Sequence, residues 1–203
     1  IFTYSEFGKE VLEEQTNNKI KVTAVASPAA DYEKLKPSQN KDEHRKAFGF
    51  MPDINIVGTI MRNQRRKLYP NLISSFRKVL DENPSLQSNT FLYLHTSFPD
   101  IGWDIPYFIK KYNMGNHTLM TYKCKSCNSF FPSFFAGSKI PCPICKGFPA
   151  ILPNTNFGVT TEELSAIINF FDLYVQYSIC EGFGMPQVEA ASCGVPVLTV
   201  NYS

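Results

Sequence analysis

The 203-residue chain is 43% hydrophobic and 19% charged, with a formal net charge of +2. Disorder needs low hydrophobicity and a large net charge, so it is excluded, and the length suffices for a buried core in one or two domains. There is no run of eighteen or more apolar residues to cross a membrane and no basic-then-apolar leader, and so small a net charge says little about nucleic acid or membranes.

In chain order, residues 20–25 read as a strand, 27–37 as a connection containing Pro and Ala, and 42–48 as a short charged helix. Residues 54–60 form an apolar run through Gly58-Thr59, and 71–80 follow as a helix with Leu72, Ile73, Phe76, Val79 and Leu80 at the spacing of one face. A strand at 91–95 precedes a helix at 105–112, for which Asp104 is the N-cap and Pro106 is tolerated in the first turn. Residues 118–122 are the next strand. After a cysteine-containing segment, Thr160-Thr161-Glu162-Glu163 is a capping box that opens a helix with Leu164, Ile167, Ile168 and Phe171 on one face. A strand at 173–177, a helix at 186–192 and a strand at 195–200 complete the pattern. The chain starts at Ile1 and ends at Tyr202-Ser203, directly after this last apolar run, and is read as a piece of a longer protein. Strands alternating with helices imply an α/β fold of right-handed βαβ units with a parallel sheet flanked by helices, whose ligands bind beyond the carboxyl ends of the strands.

Cys124-Lys-Ser-Cys127, a gap of fourteen residues, then Cys142-Pro-Ile-Cys145 has the spacing of two metal knuckles. Each Cys-x-x-Cys turn aims two thiolates at one ion, and Gly147 permits the tight backbone after the second pair. The rival readings are a pair of disulfides or a redox Cys-x-x-Cys; without a secretion signal, structural disulfides are disfavoured and a cytoplasmic location is expected. The expectation is therefore a structural Zn²⁺ in a small zinc ribbon, closed to water and so without a catalytic role. Phe130, Phe131, Phe134 and Phe135 between the knuckles could stack nucleic-acid bases, but the segment has little positive charge. They are read instead as the small core of the ribbon.

Arg62, Arg65, Arg66 and Lys67 directly follow the strand at 54–60, at the expected ligand edge, where cations can clamp a diphosphate. The second constellation is Glu181-Gly182-Phe183-Gly184-Met185-Pro186-Gln187-Val188-Glu189, after the strand at 173–177. Gly182 and Gly184 allow close backbone approach to an anion, and Pro186 suits the first turn of a helix whose N-terminus favours phosphate. Glu181 in the loop and Glu189 on the helix place carboxylates on either side of such a phosphate site, for sugar hydroxyls and a ribose.

Glu181 to Glu189 resembles the Glu-x7-Glu motif of retaining glycosyltransferases with two Rossmann-like domains (the GT-B type), family four in particular. Gly58-Thr-Ile-Met-Arg62-Asn-Gln-Arg-Arg-Lys67 is similar to that family's donor-phosphate loop, and Gly158-Val159 with the following Thr-Thr-Glu-Glu-Leu164 to the segment flanking the nucleotide base. The stretch from Thr3 to Pro37 looks like the end of an N-terminal domain and its link. The resemblance implies that 1–38 are this tail and link, that 39–203 are a nucleotide-sugar-binding domain truncated at its C-terminus, and that 120–150 are the zinc-ribbon insertion, which the usual family pattern lacks.

The resemblance also implies roles. Arg62 and Lys67 would bind the donor diphosphate and stabilise its departure. Gly58, Gly182, Phe183 and Gly184 would contact donor phosphates and sugar, Glu189 the ribose, Val159 or its neighbours the base, and Glu181 the transferred sugar at the reacting centre. The partner would be a nucleoside-diphosphate-sugar, the acceptor is undefined, and no divalent metal would be required for chemistry. Without the acceptor-binding domain, this chain alone is expected to bind donor weakly and not to turn over.

The rival class is a non-catalytic nucleic-acid or protein-binding module built on the zinc ribbon. A phosphorylase of the same architecture is disfavoured because no lysine stands at an apparent pyridoxal site. His44, His95 and His117 lack ligand spacing, Cys180 and Cys193 are expected to be buried, Trp103 is expected to be a packing anchor, and Asp172 a turn residue rather than an acid catalyst.

Overall fold

A computed structural model describes residues 1–201, so Tyr202 and Ser203, with which the chain ends, lie outside the described residues. The chain divides into two compact units, Ile1–Ala30 and Asp31–Ser203. In the first unit, β1 (Phe2–Thr3) and β2 (Ala24–Val25) pair in parallel, joined by α1 (Glu6–Gln15). The strand expected over 20–25 is therefore confined to its last two residues. Side chains near the end of α1 explain the shortening: Thr16 Oγ1 accepts the Ile20 amide at 3.4 Å and Glu13 Oε1 the Val22 amide at 3.2 Å, where a strand neighbour would otherwise stand.

The second unit begins with α2 (Lys41–Ala47), then β3 (Asn55–Ile60), α3 (Tyr69–Glu82), β4 (Thr90–His95), α4 (Ile105–Lys111) and β5 (Thr118–Cys124). Next come β6 (Phe130–Phe134), β7 (Lys139–Ile140) and β8 (Ala150–Ile151), and then α5 (Thr161–Ile168), β9 (Leu173–Gln176), α6 (Met185–Ser192) and β10 (Val197–Thr199). The expected caps form: Asp104 accepts the Tyr107 amide, and Thr160 and Glu163 make a reciprocal capping box. Of the expected α3 face, Leu72, Ile73, Phe76 and Leu80 are buried, while Val79 at the margin of the stripe is 44% exposed.

The sheet order is β10-β9-β3-β4-β5, all parallel. Counting only these five strands in chain order gives 3-2-1-4-5 across the sheet, the doubly wound Rossmann arrangement, though β10 and β9 follow the others in sequence. Successive strand residues serve opposite faces. On one, Leu92, Leu94 and Val175 join α3 and α4 residues in a common core. On the other, Tyr93 packs against Phe170 and Phe171 at ring-centroid distances of 6.0 and 5.4 Å, and Gly58 lies so close to Phe171 that an added Cβ would sit 2.3 Å from its ring.

Asp172, at the turn before β9, fixes this second face. Its carboxylate accepts the Ile56 amide at 2.8 Å and pairs with Lys41 and with Arg45, which is only 9% exposed. It has the expected structural role. Beyond β5 the sheet turns antiparallel: β6 and β8 both pair with β5, and β7 pairs with β8. Among the described residues no helix is long and apolar enough to cross a membrane.

Candidate functional site

The strand order reverses between β3 and β9, so a crevice opens beyond their carboxyl ends. The two loops that leave these strands are zipped together. Leu68 N donates to Tyr177 O at 3.1 Å, Ile179 N to Arg66 O at 2.9 Å, and Lys67 and Ser178 form a β-bridge. This pairing seats the Lys67 side chain beside Glu181, each only 6% exposed. Glu181 Oε1 accepts from Lys67 Nζ, from Gln176 Nε2 at 2.7 Å and from Ser178 Oγ at 2.8 Å, while Oε2 accepts from Arg66 at 2.7 Å. Burial opposes ionisation of this carboxyl, but the hydrogen bonds from Lys67, Arg66 and Ser178 outweigh it and hold its pKa at about 2. Glu181 is therefore an anion fixed against two cations.

Arg62 takes a different direction from Lys67. Its guanidinium donates to both oxygens of Asp100, at 3.1 and 3.2 Å, and remains half exposed. The Arg62 hydrogen bond is also the main reason the Asp100 carboxyl is held at about 2. The loop between Arg62 and Lys67 is pinned from beneath. Asn63 is fully buried and exchanges hydrogen bonds of 2.8 Å with both the N–H and the C=O of Trp103, whose indole N–H donates to Lys67 O at 2.8 Å. Gly102 lets these segments meet, because a Cβ there would stand 2.2 Å from Asn63 Oδ1. Arg65 lies over the Trp103 ring, 4.8 Å from its centroid. Trp103 is thus the expected packing anchor, and what it anchors is the cationic loop.

Some of the expected donor residues line two clefts at this edge, while Lys67 and Gly184 line neither. One, of about 340 Å³, is lined by Arg62, His95, Thr96, Asn154, Gly158 and Val159 among others. The other, of about 490 Å³, is lined by Glu181, Gly182, Phe183, Gln187 and residues 199–201. Gly184 has φ +82° and is the N-cap of α6 with no side-chain cap; Pro186 has no N–H and the Gln187 amide donates to Gly184 O at 3.0 Å, so among the described residues the Met185 amide is the donor left at this helix start. A Cβ at Gly182 would meet nothing within 4 Å. Glu189 is half-buried on α6 and lines neither cleft. Burial alone raises its pKa, and among the described residues no donor offsets that cost. Gly58 is inside the sheet against Phe171 rather than in a cleft. His95 is held by Thr121 Oγ1 at 2.9 Å, and burial drops its pKa to about 4, so the ring is neutral at pH 7.

The four knuckle cysteines converge: their Sγ atoms all lie within 4.8 Å of one another, with Cys124–Cys145 at 3.6 Å and Cys127–Cys142 at 3.8 Å. A tetrahedral thiolate site with bonds near 2.3 Å has edges of about 3.8 Å, so the cluster could hold a metal ion. Amides aimed at sulfur complete the knuckles, Ser126 N to Cys124 Sγ at 3.3 Å and Gly147 N to Cys145 Sγ at 3.4 Å. Three of the four phenylalanines are buried or half-buried, on the main sheet as well as the ribbon, while Phe134 is 44% exposed. Phe130 meets Phe48, which follows α2, at 5.1 Å, Phe131 stacks on Tyr122, Phe134 meets Phe91 edge-on, and Phe135 joins the core.

Cys193 is buried as expected, but Cys180 is exposed, because the chain has already left β9 and Arg66 holds only the Cys180 carbonyl. Sequence reading missed Asn63, Asp100, Gln176 and Ser178 as site residues. Ser178 and Gln176 flank Glu181 closely enough to be flagged by position; Asn63 and Asp100 act across distant segments.

Residues 153–203 match the family model described as glycosyl transferases group 1. Among solved structures, sucrose-phosphate synthase from Thermosynechococcus elongatus superposes with a TM-score of 0.63 at 17% identity, over 98% of this chain and 39% of that one. The C-terminal domain of a glycosyl transferase group 1 family protein from Francisella tularensis gives 0.53 at 16% identity, over 84% of this chain and 70% of that one. Anabaena HepE, in complex with UDP and glucose, gives 0.57 at 16% identity, over 98% and 43%. The chain thus spans about two fifths of the synthase and of HepE. No curated protein matches it. The fold is that of GT-B glycosyltransferases, and the family match supports a glycosyltransferase.

Proposed function

We propose that the chain is the donor-binding part of a retaining glycosyltransferase, which moves a sugar from a nucleoside-diphosphate-sugar to an acceptor hydroxyl. The observation that carries this reading is the Lys67–Glu181–Arg66 cluster at the point where the strand order reverses, with Arg62 at the mouth of the adjoining cleft. In this account Lys67 and Arg62 meet the diphosphate, and their charge stabilises it as the sugar–oxygen bond breaks. The Met185 amide at the start of α6 and the backbone around Gly182, Phe183 and Gly184 add neutral donors to the same oxygens. The base occupies the cleft beside Gly158 and Val159. Glu189 accepts from the ribose hydroxyls, which would supply the partners its carboxylate lacks. Glu181, fixed as an anion, orients the transferred sugar. The UDP and glucose bound by HepE support a donor of this chemical class.

In the same reading, 1–38 are the tail and link of a preceding domain, 39–203 the donor domain, and 120–150 the zinc ribbon of a cytoplasmic enzyme. Zn²⁺ is the ion we assign to the four thiolates, since a tetrahedron of cysteine sulfurs suits it; a closed site has no open position for water and takes no part in the transfer. The packing of Phe130 on Phe48 and of Phe131 on Tyr122 favours reading these rings as core over reading the ribbon as a nucleic-acid module. In the whole protein, Lys67→Ala and Glu189→Ala are each expected to lower donor turnover by about a hundredfold with the fold retained by circular dichroism. Wild-type turnover in both contradicts the assignment.

A further inference from the structure

The ribbon and the Gly158–Val159 cleft share a wall. From Cys142 and Cys145 the chain returns through β8, whose Ala150 pairs with Cys124 and whose Ile151 pairs with Lys123 of β5. It then runs directly into Pro153, Asn154, Thr155, Gly158 and Val159, all of which line the cleft. Two-residue strands such as β7 and β8 are marginal by themselves, so this end of the wall is held by the burial of Ala150 and Leu152 in the core together with the clamp that joins the Cys142/Cys145 knuckle to Cys124/Cys127.

Lys123 secures the rest. It is adjacent to Cys124 and only 3% exposed. Its ammonium donates to Glu163 Oε2 at 2.7 Å and lies 5.7 Å from the centre of the Phe157 ring. The same Glu163 oxygen accepts the Thr160 amide at 2.7 Å. Phe157 and Thr160 bracket Gly158 and Val159, so one buried cation grips the cleft wall on both sides of the residues that face the cleft. Between Asn154 and Phe157 the wall closes into a tight turn with backbone hydrogen bonds of 3.1 and 3.2 Å, with Asn154 Oδ1 accepting the amides of residues 156 and 157. This short, braced segment hangs between the cysteine centre and α5.

We propose that Lys123 and Glu163 are positioning residues that couple the metal centre to the nucleotide cleft, so that metal occupancy sets nucleotide affinity. The inference rests on the donor reading above for the identity of the ligand. A metal that orders β8 and the register of Lys123 preforms the wall, and a bound base holds that wall in the geometry the metal requires. Coupling between binding equilibria is reciprocal: whatever factor the metal adds to nucleotide affinity, the nucleotide adds to metal affinity.

The test uses the whole protein loaded with zinc and titrated calorimetrically with UDP, GDP and ADP, the tightest of which serves as probe. Lys123→Met is expected to retain one zinc per chain and to bind the probe about tenfold more weakly, while Lys123→Arg recovers wild-type affinity. Saturating probe is expected to raise zinc affinity, read by competition with a chelator at equilibrium, in the wild type and not in Lys123→Met. Equal probe affinity in zinc-loaded wild type and zinc-loaded Lys123→Met, or zinc affinity indifferent to the probe, overturns the coupling and leaves the donor reading standing. No binding of any probe to the zinc-loaded wild type overturns the donor reading, and the coupling with it.

Discussion

The ammonium of Lys67 and the carboxylate of Glu181, 114 positions apart in sequence, meet across the reversal of strand order, each almost wholly buried. Neither is placed by its own strand alone. The bridge between Lys67 and Ser178 sets both. Removing one partner of a buried pair typically costs about 3 kcal/mol or more when the other charge is left uncompensated; here Arg66 still pairs with Glu181 at 2.7 Å and offsets part of that cost. Lys67→Met is therefore expected to lower stability by about 1–3 kcal/mol in urea unfolding. The double variant Lys67→Met/Glu181→Gln is expected to recover much of the loss while remaining unable to bind nucleoside diphosphate. A single and a double variant of equal stability would contradict the pairing.

Acid should weaken the fold through Glu181 and Asp100. Both carboxyls are held at about 2, below ordinary values of 4.5 and 3.8, so each contributes stability that is complete above the ordinary value and is lost as the pH falls toward 2. Urea unfolding between pH 5 and pH 2 is expected to show a steep decline in the wild type and a shallower one in Glu181→Gln and in Asp100→Asn. Identical slopes in all three proteins would remove these carboxyls from the account.

Glu189 has the opposite sign. Burial raises its pKa, so its ionised form burdens the folded chain at neutral pH, and that burden lifts as the pH falls through the raised value. Glu189→Gln is expected to raise the melting temperature at pH 7 and to narrow its advantage at pH 4, while weakening nucleotide binding. A stabilised variant with unchanged nucleotide affinity would detach Glu189 from the ribose.

The family resemblance assigns Gly58 to the donor, whereas the structure sets it against Phe171. Because an added Cβ would stand 2.3 Å from that ring, Gly58→Ala is expected to cost about 2 kcal/mol or more in denaturant unfolding. A cost near zero would show that the ring moves aside freely.

These residues mark what local sequence can disclose. The Thr160–Glu163 capping box, the stripe from Leu72 to Leu80 and the two Cys-x-x-Cys knuckles obey rules that act within a few positions, and they are legible. The clamp of Asn63 on Trp103 and the bond of Arg62 to Asp100 each join segments about forty residues apart, and no periodicity encodes them. The strand expected at 20–25 is cut short for a related reason: its amides are taken by Thr16 and Glu13, a competition visible only once α1 exists. Cys180 belongs by composition with the small apolar residues that are usually buried, yet its loop has already left the sheet.

The most direct measurement is calorimetric titration of the folded, metal-loaded whole protein with UDP, GDP and ADP, repeated on Lys67→Ala. One of these nucleoside diphosphates is expected to bind the wild type, and the variant to lose that binding by about a hundredfold or more. Failure of all three to bind the wild type, or equal binding to wild type and variant, would contradict the donor site at the β3–β9 reversal.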